Sequence, residues 1–345
     1  MGLEEWPIAT GARSRRDACV LPPSGTERRV EAVAALLAGT VTEPLPDADR
    51  ARVPVIVEAL AAGVDAKLRA HVLGRLDAAN HPELHARLAG PPDGRALRRV
   101  LGRTTVPPGV AETALARVEM FRLADAVRTG PAQPDGPAAR ERRELLAAEA
   151  RRTDRFGEPG LEFDDLPAEA AHALVWTVAA ALRAMLQAGG LAEAEADALA
   201  VAAGRARLGG YDEAAGLYAG AAQLAIALSA AGALDDDLVA SLSDGGELAA
   251  LTACLGRRVG LSALAVWPLL VQAGGGRLAL LLRGAGVARE PAARVLLRFL
   301  DAGDDPLAEL EAYDRCEPDE ARRALAVLGH DPVYRNALRG LGFAS

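Results

Sequence analysis

Apolar residues recur along this chain at helical spacing almost from end to end. Stripes run from Val30 to Leu37, Val53 to Leu60, Leu68 to Leu76, Leu97 to Leu101 and Val110 to Val127. Each is apolar on one face and polar on the other, which predicts amphipathic helices. A charged helix is predicted over Ala138 to Arg152, and two long alanine-rich helices over about residues 167–187 and 212–231. Alternating runs of Val, Ile, Thr, Tyr and Phe, the mark of strands, are missing. In the last third, Leu248-Ala249, Leu278-Ala279 and Leu307-Ala308 open units spaced 30 and 29 residues apart. Each unit is an apolar stripe, a break and a second apolar stripe, the pattern of stacked helical hairpins. The predicted fold class is all-α: HEAT-like helical hairpin repeats in a two-part α-solenoid or helical array.

Start and stop signals divide the chain. Asn80 is the predicted cap of a short helix with Pro82 in its first turn. Asp165 ahead of Pro167, and Asp212, are predicted caps of the two alanine-rich helices. Glu290-Pro291, Asp305-Pro306, Glu317-Pro318 and Asp331-Pro332 repeat one start signal. Gly256, Gly274 and Gly303 are predicted to stop the helices before them. Residues 1–26 lack periodicity and read as a loose tail, in which Trp6 and Ile8 can dock. Residues 27–129 form an N-terminal helical array, 130–164 a turn-rich linker with one charged helix, and 165–345 a C-terminal helical-repeat domain. The main boundary is expected near residue 160.

Composition sharpens this reading. Of 345 residues, 77 are alanine and only 3% are aromatic, so helix should far exceed the usual third. Lys67 is the only lysine, against 38 arginines. It sits in Asp-Ala-Lys-Leu, which excludes a G-x-x-x-x-G-K phosphate loop, a kinase-type strand lysine and a Ser-x-x-Lys nucleophile. The net charge of −8 is uneven: residues 1–129 carry 18 basic and 16 acidic side chains, and the remainder 21 and 31. An acidic C-terminal half opposes nucleic-acid binding and anionic membranes. Cys19, Cys254 and Cys316 are scattered and odd in number, so no disulfide framework is expected and a reducing cytoplasm fits. Residues 1–20 lack the apolar centre of a signal peptide. The most apolar stretch, Leu248 to Leu300, is interrupted by Arg257, Arg258, Pro268 and the glycines 274–276, so no membrane span is expected.

Candidate chemistry is sparse. His81 and His85 stand four apart, a spacing that aims two imidazoles at one metal. Yet Pro82 puts His81 at the helix start and Glu83 fits neither zinc-helix motif, so a solvated helix N-terminus is preferred. His172 lies early on a long helix, where a phospho-accepting histidine of a helical bundle would sit. Its alanine neighbours supply no flanking acid, and a partly buried histidine is the default. Glu162, Asp164 and Asp165 are candidate acid–base carboxylates, but loop acids before a helix also stabilise its positive end, and capping is preferred. Asp235-Asp236-Asp237 lacks the spaced ligands of a calcium loop. The glycines at 274–276 and 284–286 follow no strand and read as turns. Cys254, Cys316, Trp176 and Trp267 fall on apolar stripes and read as core.

The run from Gly246-Glu247-Leu248 through Val271 resembles an uncharacterised alphaproteobacterial family known as domain of unknown function 2336. So do the run from Gly276-Arg277-Leu278 to Gly286, Ala312-Tyr313-Asp314, and Asp331-Pro332-Val333-Tyr334-Arg335. Leu166-Pro167 with Ala173-Leu174-Val175 is similar as well. The resemblance covers about residues 165–342 and implies a HEAT-like helical fold. It implies no activity, no catalytic residue and no cofactor. The expected function is therefore a non-enzymatic protein-interaction or scaffold module in bacterial signalling, for a partner protein that the acidic half would steer if basic. Self-association as a homodimer through residues 167–187 and 212–231 is an open alternative. Two enzyme-side alternatives stand beside it: histidine phosphotransfer through His172, and DNA processing on a HEAT-like scaffold. The latter needs a basic groove with paired Trp and Asp, whereas Trp6, Trp176 and Trp267 are scattered.

Overall fold

The computed structural model describes residues 26–37, 45–92, 97, 100, 107–132, 134–272, 274, 276–300, 303–331, 334–335 and 337. The tail with Trp6 and Ile8, Cys19, most of the stripe from Leu97 to Leu101, and Pro332 and Val333 lie outside them. Among the described residues there are fifteen α-helices, three short 3₁₀ turns and no strand. The only sheet-like feature among them is one antiparallel bridge between Thr153 and Pro159. The chain is all-helical. None of its described helices is, by itself, long and apolar enough to cross a membrane; one pair, bent by 111°, passes that test only when joined.

The N-terminal helices are α1 (Thr26–Leu37), α2 (Asp47–Leu73), α3 (Pro82–Ala89) and α4 (Pro108–Val127). Helix α2 joins two of the expected stripes into one helix of 27 residues. Gly63 between the stripes costs only about 1 kcal/mol against alanine, and burial of Ala61, Val64 and Leu68 outweighs it. His81, not Asn80, occupies the N-cap of α3; the Asn80 amide instead donates to Asp77 at 2.7 Å. Helix α4 is the centre of the molecule. It packs against α1 and α2 and, across the linker, against helices of the C-terminal half.

The linker carries α5 (Ala139–Arg151). Then come α6 (Ala168–Ala188), α7 (Glu193–Gly209), α8 (Leu217–Ala230) and α9 (Asp236–Asp244). Helices α6 and α7 form a hairpin that lies against α2. Hydrophobic periodicity does not reveal α7, because its buried face is Ala196, Ala200, Ala203 and Gly204. Close packing keeps that face small: a Cβ on Gly204 would stand 2.9 Å from the Trp176 ring. Asp165 does not cap α6, whose N-cap is Pro167, and Asp212 caps a 3₁₀ turn before α8 by accepting from Ala214 N at 3.0 Å.

The three repeat units are helix pairs: α10 (Leu248–Val259) with α11 (Ala263–Val271), α12 (Arg277–Gly284) with α13 (Arg289–Phe299), and α14 (Pro306–Arg315) with α15 (Pro318–Ala326). In the first two the paired helices pack on each other as hairpins, whereas α14 and α15 both pack on α12 instead. Each pair touches the next. The equivalence is imperfect at the third opening dipeptide. Leu248 and Leu278 are buried, but Leu307 is 72% exposed, because nothing among the described residues covers that face.

Helix ends follow a device other than the expected glycines. Gly256 lies inside α10, and Gly274 and Gly303 lie beyond the ends of α11 and α13. Instead α6, α8, α9, α10 and α12 each end at a left-handed glycine: Gly190, Gly232, Gly246, Gly260 and Gly286. The next residue's N–H then bonds back five positions, as Glu247 N does to Leu242 O at 2.9 Å and Val287 N to Leu282 O at 3.0 Å. This is the Schellman ending, which requires a positive φ that glycine adopts without a Cβ penalty.

Candidate functional site

Polar side chains converge where α4 and α5 meet α8, α9 and the start of α10. Arg142 on α5 donates Nε–H to Glu247 at 2.7 Å, with its Nη2 on the other carboxylate oxygen, and both side chains are buried. Arg152, just past α5, clamps Asp165 through Nε at 2.8 Å and Nη2 at 2.7 Å. The same Asp165 carboxylate accepts from Leu217 N at 2.8 Å and Glu162 N at 2.9 Å. It is a buried ion-pair acid that fixes the start of α8, not a free acid for proton transfer. Arg117 on α4 donates to Gly160 O at 3.0 Å, and Arg128 donates to Gly245 O at 3.3 Å. Removing one partner from a buried ion pair typically costs about 3–5 kcal/mol, since the other charge stays behind unpaired.

These contacts frame a cavity of about 500 Å³. Arg117, Met120, Phe121 and Ala124 of α4, with Arg128 just past its end, form one wall, and Leu146, Glu149 and Ala150 of α5 another. Leu217 and Tyr218 of α8 close a third side, Gly246, Leu248 and Ala249 the fourth, and Thr153, Asp154 and Gly157 form the rim. Gly246 is required here twice over. Its φ is +66°, and a Cβ would stand 2.6 Å from Ala124 O on the opposite wall.

Two polar groups in the cavity are not used by the fold. The Tyr218 hydroxyl is buried and has no hydrogen-bond partner among the described residues; burial pushes its pKa up. The Glu149 carboxyl takes part in no ion pair or side-chain hydrogen bond among the described residues. Burial pushes it up to about 7; nearby Glu247 adds to that, while Arg117, Arg128 and Arg152 pull it down. The carboxyl therefore changes charge near neutral pH.

The residues singled out in the sequence lie elsewhere. His81 is the N-cap of α3, and its carbonyl accepts from His85 N at 2.9 Å. Among the described residues, no three His, Cys, Asp or Glu side chains are grouped to hold a metal. His172 is exposed on α6, not partly buried, and its Nε2 accepts a hydrogen bond from Trp176 Nε1 at 2.9 Å. Of the acidic triplet, Asp235 caps α9 through Leu238 N at 2.8 Å, and Asp236 pairs with Arg258 at 2.7 Å. Trp267 is fully buried, Trp176 partly so. Cys254 is buried, and burial pushes its thiol up to about 12. Cys316 is also buried but disulfide-bonded, against the expectation from the odd cysteine count.

Sequence reasoning misses the cavity residues for a specific reason. Glu149, which lines the cavity, shares one helical face with Arg142, Leu145 and Arg152, which do not, and a charged stripe ordinarily faces water. The signal is the single apolar Leu145 within it, together with Arg117 interrupting the apolar stripe of α4.

A family profile described as "Uncharacterised protein conserved in bacteria (DUF2336)" matches residues 102–326. The match starts well upstream of residue 165 and ends before Asp331, so it takes in α4, α5 and every wall of the cavity. No curated protein and no solved structure shows a significant match to the chain.

Proposed function

This chain belongs to the bacterial family DUF2336, and we propose that it is a non-enzymatic, HEAT-like helical scaffold that binds another protein. The observation that carries this reading is the succession of three helix pairs, each packed on the next. Such stacking leaves an extended face along the array, the usual partner-binding surface of helical repeats. Two large apolar side chains stand out on that array, Leu297 at 61% and Leu307 at 72% exposure, on the mutually packed helices α13 and α14. The net charge of −10 over residues 130–345 would speed encounter with a basic partner.

The test uses the full chain as bait in its native extract, beside a Leu297→Asp/Leu307→Asp double substitution. A defined basic protein retained by the wild type at low salt, and lost by the double substitution, supports the scaffold reading. If both baits repeatedly retain the same proteins, or none, the reading is wrong.

A second reading is favoured by one observation. His172 is exposed on the α6–α7 hairpin, the setting of a phospho-accepting imidazole. Its Nε2 lone pair is engaged by Trp176, so Trp176 must release it before a phosphoryl group arrives. Acid-labile labelling of the wild type from a radiolabelled phosphohistidine donor, lost in His172→Ala, would establish this activity; equal labelling of both would end it.

A further inference from the structure

We propose that the cavity between α4, α5, α8 and the start of α10 is a binding site for a small organic carboxylate with an apolar body. Its volume of about 500 Å³ lies within the usual range for small-molecule sites, and such sites join apolar walls to a few convergent polar groups. Met120, Phe121, Leu146, Leu217 and Leu248 supply the apolar walls. Tyr218 supplies a buried O–H with no acceptor among the described residues, which a folded protein rarely tolerates. Arg117 and Arg128 add guanidinium groups on one wall. Each donates through Nε to a backbone carbonyl, and Arg117 through Nη2 as well. A guanidinium has five N–H donors, so each retains further ones.

The sign of the ligand's charge follows from the groups that face Glu149. From α4 and its C-terminal end these are Arg117 and Arg128, from Glu149's own helix end Arg152, and from the segment before α10 Glu247. From α8 comes Tyr218, and from the rim Asp154. Asp154 is already engaged, with its Oδ1 accepting from Phe156 N at 2.8 Å and Glu158 N at 2.9 Å. Glu247 is neutralised by Arg142, and Arg152 by Asp165. With Glu149 protonated, the guanidiniums of Arg117 and Arg128 outweigh the one carboxylate charge left at the rim on Asp154, and an anion fits them. The protonated Glu149 then donates its O–H to the ligand, as does Tyr218. An amine would meet two arginines instead.

The inference does not rest on the scaffold reading, and either can fail alone. Calorimetric titration of the full chain with sodium hexanoate tests it, with hexylammonium chloride as the opposite-charge probe. Hexanoate is expected to bind with proton uptake, and about tenfold more tightly at pH 6 than at pH 8, following the fraction of protein with Glu149 protonated. Glu149→Gln, uncharged and nearly isosteric, is expected to bind at both pH values with equal affinity. Tyr218→Phe is expected to weaken binding about five- to tenfold. A melt of each variant shows whether it folds, and the pH dependence of the wild type needs no variant. Millimolar hexanoate without heat at pH 6, hexylammonium binding that strengthens with pH, or hexanoate affinity indifferent to pH would each overturn the proposal.

Discussion

Replacing Glu149 by glutamine asks whether the fold carries a buried acid at the joint between α5 and the repeats. Burial raises the Glu149 pKa from 4.5 to about 7. The native state therefore holds a proton that the unfolded chain releases between these values, so native stability falls as pH rises through that window. Below about pH 4.5 both states are protonated and the group contributes no penalty; above about pH 7 the penalty is complete. At 1.36 kcal/mol per pH unit the gap amounts to about 3 kcal/mol. Glu149 is only half-buried, so solvent screens part of its charge, and about 2 kcal/mol is the expected effect. Glutamine has no proton to lose, so Glu149→Gln should be about 2 kcal/mol more stable than wild type at pH 8 and close to it at pH 4.5. Urea unfolding of both proteins at several pH values between these limits measures this. A difference that stays flat across the series, or a variant less stable than wild type at pH 8, would refute the placement of Glu149 in a poorly solvated cavity.

Two further substitutions test the packing. Gly246→Ala adds a Cβ at a φ of +66° and at 2.6 Å from Ala124 O; strain and overpacking together should cost about 2–4 kcal/mol, and a thermal melt left unshifted would contradict the close approach. Leu278→Ala should cost about 2–5 kcal/mol, because Leu278 is fully buried. Leu307→Ala, at the corresponding position of the third unit, should stay within about 0.5 kcal/mol; matched losses from denaturant midpoints would show that the third unit is covered after all.

Packing accounts for several of the residues on which the resemblance rests. Gly246 allows the close approach to α4, Glu247 binds Arg142, and Leu248 lines the cavity. In the next unit Gly276 N donates to the Glu309 carboxylate at 3.0 Å, and Arg283 Nε to Cys316 O at 2.6 Å, which binds the second helix pair to the third. The Tyr313 hydroxyl donates to Val287 O across the same interface. These residues hold neighbouring helix pairs in register.

Helices and their spacing are legible in the amino-acid order alone. The repeat at Leu248, Leu278 and Leu307, the alanine content and the lack of alternating runs are local properties, and helices are made of local hydrogen bonds. Helices α7 and α9 are exceptions; in α7 an alanine face has too little hydrophobic contrast to stand out. Which charges turn inward depends instead on how the helices pack. Arg142 and Glu149 sit on a stripe that reads as solvated, and their burial depends on Glu247, 105 residues away from Arg142, and on Tyr218 from another helix. Burial is a property of the whole assembly, and the energy of a charge depends on the dielectric that surrounds it. The cavity exists because four segments distant in sequence meet around it.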